Sequence, residues 1–112
     1  ALPFRVVELM RKDSLELTEA DRALIAAAAR EAPESRIVVT HGTDTMTETA
    51  AVLGRAQLHA AIVLTGAMVP YDIVNSDALF NLGYAMAAAR LAPHGVYIAM
   101  NGELWSWDQV RK

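Results

Sequence analysis

Apolar positions along the chain alternate between two rhythms. Continuous apolar runs suited to strands occur at residues 4–10 (FRVVELM), 36–40 (RIVVT), 60–65 (AAIVLT) and 96–100 (VYIAM). The second and third are rich in β-branched residues and carry no polar alternation, the pattern of strands covered on both faces. Asn101-Gly102 then predicts a two-residue hairpin turn, with residues 104–107 returning as a further strand. Between these runs the spacing becomes helical. Thr18 caps an Ala-rich helix over residues 19–30, with Asp21 completing a capping box and Pro33 beyond its end. Residues 44–53 form a short helix, with Gly54 in the position after its end. Residues 66–75 read as a loop containing Pro70. Ser76 caps a helix over residues 77–91, and Pro93 and Gly95 stop it.

Strands alternating with helices predict an α/β fold: a three-layer, doubly wound, mostly parallel sheet in one unit spanning residues 1–112. In the last helix Ala78, Leu79, Leu82, Ala85, Met86 and Ala89 form the stripe expected to cover the sheet. Tyr84, Ala87, Ala88 and Leu91 lie outside that stripe. Apolar residues on both sides of one helix point to a second buried surface, and so to a homo-oligomer.

Composition narrows the classes. Hydrophobic residues make up 54% of the 112 residues, above the usual range of about 45–50%. This excess again argues for burial against further protein. The net charge is −3 and no basic cluster is present, which excludes a nucleic-acid partner as the expectation. With no cysteine there is neither a disulfide framework nor a thiolate site. No apolar run approaches the ~18–20 residues of a membrane helix. No His or Cys cluster has metal-ligand spacing, so neither metal nor cofactor is expected.

Chemistry concentrates where the strand at 36–40 runs out. His41, Gly42, Thr43, Asp44 and Thr45 place hydroxyls and a carboxylate on a glycine turn just before a helix. In open α/β sheets ligands bind outside the carboxyl ends of strands, and helix N-termini favour anions. The plainer alternative makes Asp44 or Thr45 an N-cap and no more. His41 has no orienting partner in the sequence and reads as structural. Glu31 and Glu34 read as solvated charges, and His59 and His94 as surface residues. Trp105 and Trp107, two apart, read as core or interface.

The stretch 38–50 (VVTHGTDTMTETA) closely resembles the signature around the second active-site threonine of the bacterial-type L-asparaginases. VLTGAMVP at 63–70, SDALFNL at 76–82, GVYIAMNG at 95–102 and Asp13-Ser14 extend the resemblance over nearly the whole chain. It implies an asparaginase N-terminal-domain fold. It also implies that Thr43 is a catalytic threonine, that Asp44 assists it and receives the substrate α-ammonium, and that Lys112 completes the group. On composition alone Lys112 is an exposed terminal lysine. By the same resemblance Ser14 meets the substrate α-carboxylate, while Gly42 and Ala67 offer backbone near the amide. Leu15 replaces a polar residue often found in the family, and Val69 an arginine. The family's primary nucleophile lies in a Thr-Gly-Gly-Thr-Ile segment, which is absent here. That absence makes the domain incomplete at its N-terminus, and the chain is expected to be inactive alone.

The implied reaction is hydrolysis of L-asparagine, with L-glutamine a secondary substrate, in a cytoplasmic dimer or tetramer. Two alternatives stay open. One is a non-catalytic module that binds aspartate or asparagine. The other is an amidotransferase subunit that supplies ammonia to a partner.

Overall fold

A computed structural model describes residues 4–10, 14–66 and 78–109. A 3-10 turn at Ser14–Glu16 leads into α1 (Glu19–Glu31), β1 (Arg36–Thr40), α2 (Met46–Arg55), β2 (Ala61–Thr65), α3 (Ala78–Leu91), β3 (Gly95–Met100) and β4 (Glu103–Ser106). The strands make one sheet in the order β1-β2-β3-β4. The pairings β1–β2 and β2–β3 are parallel, and β4 returns antiparallel to β3. Met100 pairs with Glu103 across the turn. Asn101 (φ 53°) and Gly102 (φ 78°) both occupy the left-handed region, the conformation a type I′ hairpin demands.

Alternate residues of each strand face opposite layers. Ile62, Leu64, Val96, Ile98 and Met100 pack with Ile25 and Ala26 of α1 and with Met46, Ala50 and Leu53 of α2. Val63 and Ala99 pack on the other face against Ala85 and Ala89 of α3. The expected three layers are therefore present. β1, β2 and β3 step across the sheet in one direction, yet α2 covers one face and α3 the other. The two crossovers must then have opposite hand, and one departs from the right-handed rule that holds in about 98% of cases. β2 is buried on both faces along its whole length. Fully burying a side chain such as Leu64 or Ile62 contributes about 1.5–3 kcal/mol.

Several local expectations change. Residues 4–10 belong to no strand, and Phe4, Val6, Val7 and Leu9 are exposed. Among the described residues no strand lies alongside to give them ladder hydrogen bonds, so apolar patterning alone does not make a strand here. The segment is tied instead by Arg5, which donates to both carboxylate oxygens of Glu34 at 2.9 and 2.8 Å. Glu34 is thus paired rather than merely solvated, and the Arg5 hydrogen bond lowers its pKa to about 2. β1 sits at the sheet edge with Ile37, Val38 and Val39 only half-buried, not covered on both faces as its composition suggested.

The helix α1 forms as read, with a complete capping box between Thr18 and Asp21. In α2 the helix continues through Gly54 to Arg55, and Gln57 (φ 51°) takes the left-handed position. Gly54 serves close packing instead. A Cβ there would collide with the indole ring of Trp107. Trp105 and Trp107 both pack against the larger core cluster, as the core reading expected.

The sheet-facing stripe of α3 is rotated from the predicted one. Leu79 is exposed, whereas Asn81, Ala85 and Ala89 are buried and Tyr84 and Ala88 pack beside them. Asn81 takes the core position because its amide is needed there. It donates to the Gly66 carbonyl at 2.7 Å and accepts from the Asn101 N–H at 2.9 Å. Arg36 donates to the Ala89 and Ala92 carbonyls, so β1 caps the C-terminal end of α3.

Candidate active site

The loop at residues 41–45 leaves the carboxyl end of β1. The His41 N–H donates to the Thr65 carbonyl at 2.9 Å, which carries the β1–β2 ladder one residue past the strands. Beyond it Gly42 lies against the 3-10 turn of Ser14. A Cβ on Gly42 would sit 2.9 Å from Ser14 Cβ and 3.0 Å from its Oγ, closer than real contacts allow, so only glycine fits without a shift. The Thr45 hydroxyl donates to the Ser14 carbonyl at 2.8 Å. Thr45 is the N-cap of α2, yet its side chain makes no capping bond because the hydroxyl is spent on Ser14. The simple N-cap alternative therefore does not describe Thr45, and Asp44 lies one residue before the cap.

Of the residues singled out by sequence, Ser14, Gly42, Thr43 and Asp44 come together here. Thr43 is half-buried and Asp44 exposed. Ser14 is 1% exposed, and its Oγ has no hydrogen-bond partner among the described residues. A buried hydroxyl left this way costs about 1–3 kcal/mol. Ala67 and Lys112 lie outside the described residues, as do Ser76 and Asp77.

Sequence reading missed the layer beneath the loop. Arg22 is 5% exposed. It donates from Nε to Thr49 Oγ1 at 3.1 Å, and from Nη1 to the Leu17 carbonyl and the Glu19 carboxylate, each at 3.4 Å. Its Nη2 is 3.6 Å from Glu48. Thr49 Oγ1 is also 2.8 Å from His41 Nε2, and His41 Nδ1 is 2.6 Å from the Gly42 carbonyl. His41 therefore has orienting partners, in keeping with a structural role. Its pKa is lowered, chiefly by burial; the Arg22 charge acts in the same direction and the Gly42 hydrogen bond opposes both. One signal was available: Arg22 shares the i, i+3, i+4 stripe of Ile25 and Ala26, where a charge must find buried partners.

Among the described residues no group of three His, Cys, Asp or Glu side chains could hold a metal ion. No helix among them is long and apolar enough to cross a membrane.

The loop lies at the carboxyl end of a parallel strand in a three-layer α/β unit, the place where open α/β sheets bind ligands. The chain belongs to the asparaginase family: residues 2–112 match the family described as "Asparaginase, N-terminal". It is 35% identical over 109 residues to an L-asparaginase of Thermococcus kodakarensis, covering 94% of this chain and 33% of that protein. The solved thermostable L-asparaginase from the same organism superposes with a TM-score of 0.84 at 34% identity, over 88% of this chain and 31% of the other. A component of the glutamyl-tRNA(Gln) amidotransferase of Methanococcus vannielii is 45% identical over 69 residues, which is 61% of this chain and 16% of that protein. The chain thus spans a third or less of the length of these relatives.

Proposed function

We propose that the protein carrying this chain hydrolyses L-asparagine to L-aspartate and ammonia, with L-glutamine as a secondary substrate. The observation that carries this reading is the meeting of Ser14 with the Gly42-Thr43-Asp44 loop, in a chain of the asparaginase family. The Asp44 carboxylate, one residue before the cap of α2, holds the α-ammonium. The orphaned Ser14 hydroxyl receives the α-carboxylate, which would satisfy a donor that otherwise has no partner among the described residues. By the family resemblance, Gly42 and Ala67 offer backbone to the side-chain amide. Thr43, with Lys112 and Asp44, activates and orients the reacting groups.

The attacking hydroxyl is that of a threonine outside these 112 residues. It adds to the amide carbon, the C–N bond breaks, ammonia leaves, and water then hydrolyses the threonine ester. No metal or cofactor takes part. The protein acts in the cytoplasm, the compartment named for a solved structure it resembles, a probable cytoplasmic L-asparaginase from Campylobacter jejuni. It works as a homo-oligomer, with the exposed Leu79, Phe80 and Leu91 of α3 as its apolar contact.

Ammonia release by the intact protein tests the assignment. Thr43→Val keeps the β-branched shape and removes only the hydroxyl; it should lose more than about tenfold in kcat, a barrier increase above ~1.4 kcal/mol. Asp44→Asn should weaken aspartate binding by roughly 1.5–3 kcal/mol. Near-wild-type behaviour in both variants would overturn the roles of Thr43 and Asp44.

The relatives named as amidotransferase components favour a second reading, in which the liberated ammonia passes to a partner protein. Hydrolysis of free asparagine with no dependence on a partner would exclude it.

A further inference from the structure

We propose that Arg22, Thr49 and His41 form a one-way hydrogen-bond relay that fixes the Gly42–Thr43 peptide, making them positioning residues for Thr43. Only its consequence for turnover rests on the asparaginase reading; the relay itself stands on geometry.

Its direction follows from what each group can do. A guanidinium has donors and no acceptor, so Thr49 Oγ1 accepts from Arg22 Nε at 3.1 Å. A carbonyl oxygen only accepts, so His41 Nδ1 carries the hydrogen in its 2.6 Å contact with the Gly42 carbonyl. In a neutral imidazole Nε2 is then the acceptor. The Thr49 hydroxyl, already accepting from Arg22, donates its own hydrogen to His41 Nε2 at 2.8 Å. One consistent arrangement remains, running Arg22 to Thr49 to His41 to the Gly42 carbonyl. It selects the Nδ1–H tautomer, the less favoured one for free neutral imidazole.

The far end of the relay is a peptide plane. The Gly42–Thr43 bond is planar and trans, like every described peptide. Its N–H therefore points opposite to its C=O. With the carbonyl held inward by His41, the Thr43 N–H is turned to the other side of the loop, and the Thr43 Cα is fixed in azimuth. The source of the relay is fixed too. Arg22 is wedged by the Leu17 carbonyl and by Glu19 and Glu48, so α1 and α2 together hold the guanidinium. A burial role alone would need no acceptor as far away as the Gly42 carbonyl.

Nitrogen-15 NMR on the intact protein tests this directly. His41 should be the Nδ1–H tautomer. Thr49→Val, which removes both hydroxyl bonds at constant shape, should shift His41 towards Nε2–H and broaden or split the Gly42 and Thr43 amide signals. Thr49→Ser should restore both. For asparagine, Thr49→Val should lower kcat about tenfold with KM nearly unchanged, well short of the ~10²-fold a full 1 Å misplacement can cost. Thr49→Ser should recover kcat. Should Thr49→Val not fold, Arg22→Lys removes the Nε donor and should give a tautomer mixture. An Nε2–H tautomer in the wild-type protein overturns the relay. So does a Thr49→Val protein with altered melting but unchanged tautomer, amides and kcat. If the wild-type protein releases no ammonia, the functional reading fails while the tautomer and amide measurements still decide the relay.

Discussion

Gly42 is packed so closely on Ser14 that it cannot gain an atom without a shift: a methyl on Gly42 would lie 2.9 Å from Ser14 Cβ. Gly42 is not in the left-handed region, so space rather than backbone freedom demands glycine there. Gly42→Ala should destabilise the protein by about 1–3 kcal/mol, the usual cost of overpacking, and should displace the 3-10 turn. Adding Ser14→Gly should recover most of that stability, because the two changes share one contact. Urea unfolding midpoints of the two single variants and the double variant measure the coupling. Simple additivity would mean the contact is not what limits Gly42.

His41 gives stability a pH dependence. Its folded pKa is held below the ordinary 6.5, first by burial and then by Arg22. The unfolded chain therefore takes up a proton more readily than the folded one. The stability contributed by neutral His41 is complete above about pH 6.5 and is lost progressively as pH falls below that value. His41→Gln keeps a donor and an acceptor but cannot titrate. The decline in melting temperature between about pH 7 and 5 should be shallower in that variant, and equal slopes would remove His41 from the account.

At Gly54 two effects compete. Alanine in a helix interior is favoured over glycine by about 0.8–1.0 kcal/mol. Against that, a Cβ would strike the Trp107 ring, an overpacking cost of about 1–3 kcal/mol. The clash should win, so Gly54→Ala should lower the urea midpoint. A rise would show that the indole simply moves aside.

Asn81 joins α3 to the ends of two strands. Asn81→Leu keeps comparable bulk but leaves the Gly66 carbonyl and the Asn101 N–H without their side-chain partner. The loss should be roughly 2–4 kcal/mol, reflecting two unsatisfied groups. Chemical denaturation measures it, and a change under about 1 kcal/mol would mean water replaces the amide cheaply.

The regular elements were legible because each carried local chemistry. The β-branched runs ending at Thr40 and Thr65, the Thr18–Asp21 box and the Asn101-Gly102 turn specify themselves. The misread positions all depend on distant partners. Residues 4–10 have strand-like patterning, yet pairing cannot be read from one segment. Gly54 sits where a helix end would place it, but its reason is Trp107, far along the chain. Leu79 fits the apolar stripe, but the buried place belongs to Asn81, chosen for hydrogen bonds. At the site, the Gly42-Thr43-Asp44 loop and Ser14 were recognisable by motif. Arg22 and Thr49 beneath them drew no role from the motif, because their reason is a buried contact with each other across 27 residues.

The opposite hands of the two crossovers also set a clock. With α2 on one face and α3 on the other, β2 is enclosed above, below and along both edges, and Ala61, Ile62, Val63 and Leu64 have no exposed surface. Its amides can meet solvent only when both helical layers lift together, an event close to global unfolding. β1, at the sheet edge, opens by a smaller excursion. In deuterated water β2 should therefore be the last strand to exchange. β1, from which the loop at residues 41–45 hangs, should exchange sooner, so that loop is anchored on the more readily opened of two neighbouring strands.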